Sequence, residues 1–127
     1  MPVTCGEDII AARSAGRTLA RQLGFSAGEA TFVATVTSEL ARDLLAHVGR
    51  GDIILSGLDT GDHSGITLVA RDAGLPGEDI ARVLADRHGF LQHLQHAQDD
   101  THWRLDRLQI ASESGKGTII TVSKWKR

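Results

Sequence analysis

SAGEATFVATVTSELARDLL, Ser26–Leu45, is the stretch on which the fold turns. It opens with Ser26 three residues ahead of Glu29, the capping-box spacing in which each side chain bonds the other residue's backbone N–H. Val33, Val36, Leu40 and Leu44 then recur at three- and four-residue steps, so they line one side of a helix running to about Val48. Glu39 and Asp43 are four residues apart on that helix and share a face. At 100° per residue both lie within roughly 60° of Val36, on the edge of the apolar stripe. Their carboxylates are expected to turn toward the layer that covers the stripe. Like charges at this spacing repel, and partial burial raises a carboxylate's pKa. A general base or a metal-binding group would justify the placement. Two boundary acids held by Arg42 or Arg71 would satisfy the same pattern, and on periodicity alone that is the commoner outcome.

On the N-terminal side, Val3 to Cys5 reads as a short strand. Ile9, Ala12, Gly16, Leu19 and Leu23 then give a second helical stripe, stopped at Gly24. On the C-terminal side, Gly49 to Gly51 ends the long helix. Asp52 to Asp59 and Gly65 to Arg71 read as strands of a hairpin around the polar turn Asp59-Thr-Gly-Asp-His-Ser64. Asp72 to Gly77 is a loop and Glu78 to Ala85 a short helix. Arg107 to Ser112 and Thr118 to Lys124 are strands on either side of Ser114-Gly-Lys-Gly117. The order β-α-α-β-β-α-β-β predicts an α/β fold: one domain over residues 1–127, a two-layer sandwich with helices on one face of a mixed, mostly antiparallel sheet.

The composition agrees. The chain has 127 residues, 41% of them apolar and 24% charged, with a net charge of −2. That is enough chain for a core without metal or disulfide staples. Lys and Arg are spread along the sequence, so no nucleic-acid footprint is expected. The single cysteine, Cys5, excludes an internal disulfide and fits a reducing compartment. No apolar run approaches the ~18 residues of a membrane span, and the N-terminus lacks a signal-peptide pattern. A cytoplasmic location is expected.

Asp72 stands where a strand gives way to a glycine-containing loop. A carboxylate there can accept a hydrogen bond from a base's exocyclic amine, and Gly74 would let a ligand approach the backbone. An ordinary turn uses the same residues. The combination is more specific than its parts. Ser38-Glu-Leu-Ala-Arg-Asp43, Ala70-Arg-Asp-Ala-Gly74 and Gly115-Lys-Gly-Thr118 follow in that order, and the chain ends in Lys124-Trp125 before two more basic residues. From about Val3 to Lys124 the sequence resembles the serine/threonine kinases of bacterial partner-switching modules. These are the anti-sigma-factor and stressosome switch kinases of the histidine-kinase-like (GHKL) ATPase superfamily.

The resemblance implies a Bergerat-type ATPase fold with an ATP site between the second helix and the sheet's loops. It implies Glu39 as the general base, Asp43 at the position of the magnesium-binding Asn, and Asp72 as reader of the adenine amine. Gly74 would lie beneath the base, Gly77 and Gly117 in the glycine boxes, and Thr118 would support the adenine-side hydrogen bonds. ATP and Mg are the cofactors implied. The partners implied are a STAS-domain antagonist protein that is phosphorylated, and a sigma factor or phosphatase regulator bound in exchange. A homodimer is compatible with this.

Three departures from the family pattern stand out. Asp43 replaces Asn, which keeps an oxygen ligand for magnesium but adds a negative charge near a triphosphate. Pro76 stands at the second glycine of Asp-x-Gly-x-Gly and removes a donor N–H, with Gly77 one residue on. The lid between Asp86 and Asp106 keeps a single glycine, Gly89, and has Gln92, His93, Gln95 and Ala97 where glycines are expected. Phe90, Leu91, Leu94 and Ala97 have helical spacing, which predicts an amphipathic helix in place of the lid. A helix interior offers no free N–H to a phosphate. An active kinase and a non-catalytic adaptor on the same fold are therefore both open. His88, His93, His96 and His102, with Asp99 and Asp100, form a local cluster that matches no specific zinc motif. A polar helix face is its ordinary explanation, and a metal-dependent sensor is the third function carried forward.

Overall fold

The computed structural model describes residues 1–75, 77, 79–96, 105–113 and 115–126, with the backbone alone at 95 and 96. In chain order the elements are β1 (Pro2–Val3), α1 (Gly6–Gln22), α2 (Ala27–His47), β2 (Gly51–Asp59), β3 (Ser64–Asp72), α3 (Ile80–His96), β4 (Arg107–Glu113) and β5 (Gly117–Trp125). The strands form one sheet in the order β1-β2-β3-β5-β4. Every pairing among the described residues is antiparallel; the sheet is not mixed, because α3 carries the chain past β5 to the sheet edge and β5 then returns between β3 and β4.

The capping box forms as the sequence requires. Ser26 Oγ accepts from the Glu29 N–H at 3.1 Å and Glu29 Oε1 accepts from the Ser26 N–H at 3.3 Å. These bonds satisfy two of the donors that a helix start leaves without partners. The first helix closes on a 6→1 bond from Phe25 N–H to Ala20 O, 3.0 Å, with Gly24 at φ 91°. Its start is tied to β1 by the Thr4 N–H and hydroxyl, both donating to Asp8 Oδ2. Those bonds hold the Asp8 carboxyl below the usual carboxylate range.

Ala12, Gly16 and Ala20 are the buried positions of α1. Small residues at steps of four let α1 lie close against α2. A methyl added at Gly16 would stand 2.5 Å from Thr37 Oγ1. Strand alternation then sets the other wall of the core. Ile66, Leu68 and Ala70 of β3, and Ile120 and Val122 of β5, join Val33, Val36, Leu40 and Leu44 of α2 in one apolar cluster. Continuing that alternation, Asp72 on β3 and Thr118 on β5 fall on the helix side, paired directly with each other.

The sequence predicts a helix ending at Ala85, followed by a lid segment. The helix instead continues as α3 to His96, through the first part of that segment. Leu91 and Leu94 are buried beneath it and Phe90 packs against the core, which agrees with the amphipathic spacing. Ala97 and the rest of the segment to Arg104 lie outside the described residues, as do Pro76, Glu78 and Ser114.

Candidate functional site

Three elements meet where the apolar core ends. α2 brings Asp43, one turn beyond Glu39. β3 brings Asp72 at its last residue, and α3 brings Arg87. All three side chains are buried, Arg87 to 1% exposure. Arg87 Nη1 donates to Asp72 Oδ2 at 2.7 Å, while Nη2 and Nε both donate to Asp43 Oδ2, at 2.7 and 3.0 Å. The second oxygen of each carboxylate also has a partner. Asp72 Oδ1 accepts from the Gly74 N–H at 2.8 Å, an Asx-type turn. Asp43 Oδ1 lies 3.3 Å from His47 Nε2.

A planar guanidinium with five donors suits this task, since it bonds two carboxylates at once in a fixed fork. Burial by itself pulls the Arg87 pKa down. The hydrogen bond to Asp72 and the charge and hydrogen bonds of Asp43 more than offset that, and the net shift is upward. Buried charges left without partners would be costly, and no buried side-chain N or O among the described residues lacks one.

Thr118 is 1% exposed and its hydroxyl lies 2.8 Å from Ser112 Oγ. Gly117, at φ 90°, packs against the backbone of Asp72 and Ala73 so tightly that a Cβ would collide with the Asp72 carbonyl. This contact fixes the end of β3 on the β4–β5 turn. Gly74 and Gly77 both take φ 75° in the loop before α3. A cavity of about 530 Å³ opens beside the Asp72–Gly74 segment, with Arg50, Asp52, Arg71 and Lys116 in its wall.

Of the expected site residues, Asp43, Asp72 and Thr118 come together on the helix side of the sheet, with Gly74 and Gly117 at the loops that hold them. Glu39 takes the commoner of the two courses the helix pattern allows, a boundary acid held by Arg42. Its side chain is 33% exposed and its Oε1 accepts from Arg42 Nη1 at 2.7 Å. The cause is local: its partner, Arg42, lies three residues on with its side chain 58% exposed.

Sequence reasoning missed Arg87. The signal was present: Ile80, Leu84, Arg87, Leu91 and Leu94 follow steps of four, three, four and three, so the arginine sits within an apolar stripe. Ending the helix at Ala85 hid it.

His88 and His93 are exposed, and His88 Nε2 lies 3.3 Å from Gln92 Nε2. His102, Asp99 and Asp100, and the His96 side chain, lie outside the described residues. Among the described residues no group of three or more His, Cys, Asp or Glu could hold a metal. Magnesium at Asp43 would therefore take its remaining oxygens from a bound phosphate and water, the usual arrangement for this ion. The donor types at Asp43 and Asp72 are those a magnesium nucleotide would use, and both carboxylates are paired with Arg87. No helix among the described residues is long and apolar enough to cross a membrane.

No protein-family model matches the chain. Over 120 residues, 94% of this chain and 90% of the relative, it is 32% identical to the serine/threonine-protein kinase RsbT of Bacillus subtilis (strain 168).

Proposed function

This chain belongs to the partner-switching serine/threonine-protein kinase family that includes RsbT, and from that membership we propose an ATP-dependent protein kinase of the cytoplasm. It would phosphorylate a Ser or Thr of a small STAS-domain antagonist and bind a sigma factor or phosphatase regulator in exchange. The observation that supports this best is the approach of Asp43 and Asp72. They come from different elements and different family motifs, and they meet at one guanidinium.

Bound Mg-ATP would supply the phosphoryl group and the charge neutralisation that phosphoryl transfer needs. The chain's own part follows from its residues. Asp72, held in orientation by the Gly74 N–H, accepts a hydrogen bond from the adenine amine. Gly74, Gly77 and Gly117 let the backbone come close to the ligand. Thr118, fixed by Ser112, supports the adenine side. Asp43 offers an oxygen to magnesium. Glu39, at the solvent edge, releases Arg42 and takes the proton of the substrate hydroxyl. An accessible carboxylate suits a base that must reach a protein substrate.

The test is transfer of labelled γ-phosphate to a STAS-domain protein, with wild type and Glu39→Gln in parallel. Transfer by wild type and its loss in the variant is the expected result. A second function, a non-catalytic adaptor, is favoured by α3 itself, whose interior N–H groups are bonded within the helix and offer none to phosphates. Calorimetry with Mg-ATP separates the two, since micromolar binding excludes an adaptor that has lost its nucleotide.

A further inference from the structure

The space between α2, the end of β3 and α3 is occupied by the chain itself. We infer that Arg87 is a tethered occupant of the nucleotide site, competing with Mg-ATP for Asp43 and Asp72, so that nucleotide enters only when α3 lifts. This rests on the nucleotide-binding function proposed above and adds its regulation.

The chemistry of the two carboxylates comes first. Asp72 is the acceptor assigned to the adenine amine and Asp43 the ligand assigned to magnesium. Arg87 meets both needs at once, with an N–H for the first and a positive charge for the second. The side chains of Asp72 and Asp43 are 1% and 3% exposed. No ligand reaches either carboxylate while the guanidinium stays.

The identity of residue 43 is the second support. The family's Asn would present a carbonyl oxygen to magnesium without charge. Asp43 can do the same, and in addition it forms the ion pair with Arg87, which an amide could not. The departure that weakens the triphosphate site is the one that strengthens the pairing.

The third support is how lightly α3 is seated. Among its described side chains only Arg87, Leu91 and Leu94 are buried, and its packing is chiefly on β4, the edge strand. It follows a loop with two positive-φ glycines, Gly74 and Gly77, which tolerate large changes in backbone angle. A helix seated on two buried leucines, one arginine and the half-buried Phe90 belongs to the low-stability part of a fold, from which moving elements are drawn. The apparent nucleotide affinity then falls in proportion to the fraction of molecules with α3 lifted.

The sign of one mutation decides. Removing a cation beside a triphosphate would ordinarily weaken binding. If Arg87 is the occupant, removing it strengthens binding. Arg87→Met alone would leave two buried carboxylates without a counter-charge, so it is made on Asp43→Asn, which retains the magnesium-ligating oxygen. Mg-ATP is titrated calorimetrically into wild type, Asp43→Asn and Asp43→Asn/Arg87→Met. The double variant is expected to bind at least about tenfold more tightly than Asp43→Asn, within the usual range of coupling between sites. Equal or weaker binding, with Asp43→Asn still binding Mg-ATP, would overturn the competition and leave the kinase function standing. Binding by none of the three would overturn both. If the double variant does not fold, hydrogen exchange on wild type decides. The α3 amides are expected to exchange faster in saturating Mg-ATP, and unchanged or slower exchange sinks the proposal.

Discussion

Arg87 Nη1 on α3 lies 2.7 Å from Asp72 Oδ2 at the end of β3, with 1% of either side chain exposed. This contact joins α3 to the carboxylate proposed above as the reader of the adenine amine. With Asp43 included, one cation serves two anions and the cluster carries an excess negative charge. His47 Nε2 lies 3.3 Å from Asp43 Oδ1.

Glu39→Gln separates chemistry from stability. The Glu39–Arg42 pair lies at the surface, with side chains 33% and 58% exposed, and such pairs contribute about 0–1 kcal/mol. The denaturation midpoint should therefore barely move. Phosphoryl transfer to a protein substrate should fall by about 10²–10⁴, the usual contribution of a general base.

Alkaline pH should not open the Arg87 cluster. A group whose folded pKa is raised contributes stability that is fully present below its unfolded value and is lost as pH rises through the folded one. For Arg87 the shift is upward from an already high value, so that window lies at strongly alkaline pH, beyond the range measured below. Protection of the α3 amides, corrected for intrinsic exchange, should stay constant between about pH 7 and 10.

Gly117→Ala should damage the end of the sheet. The residue is at φ 90° and its Cβ would meet backbone, the Asp72 carbonyl and the Ala73 carbonyl carbon, neither of which can rotate away. Left-handed strain and the clash together should cost roughly 2 kcal/mol or more. Urea unfolding measures the loss, and Mg-ATP binding should weaken in parallel because Asp72 moves.

Gly16→Ala sets two effects against each other. Alanine gains about 1 kcal/mol of helix propensity. The added methyl would stand 2.5 Å from Thr37 Oγ1, and that hydroxyl is fully buried and bonded to Val33 O at 2.7 Å. Overpacking of this kind costs about 1–3 kcal/mol. A net loss of about 1 kcal/mol is expected from the denaturant midpoint.

Ser26→Ala should cost about 1 kcal/mol by removing the cap on α2. Ser26→Gly should cost only a few tenths. Both variants lose the hydroxyl's bond to the Glu29 N–H, so their difference in urea measures how far glycine at the cap compensates for it.

Much of this was legible in order of residues. The capping box at Ser26, the stripes of α1 and α2, the β2–β3 hairpin and the β4–β5 turn all depend on side chains within a few positions of each other. Their periods of about four and two residues report local geometry directly. The family was legible for a related reason: its motifs are short runs that keep their order along the chain.

The tertiary structure alone decided which groups meet. Asp43, Asp72 and Arg87 lie on three elements, and their pairing depends on how α3 seats against the sheet. A one-dimensional pattern marks Arg87 as a charge in an apolar stripe but does not say what neutralises it. It likewise marks Glu39 and Asp43 as sharing a face but does not say that Asp43 pairs with Arg87 across the core edge while Glu39 pairs with Arg42 along the helix. Buried charges choose partners through space, because desolvation makes each costly until an opposite charge is placed beside it.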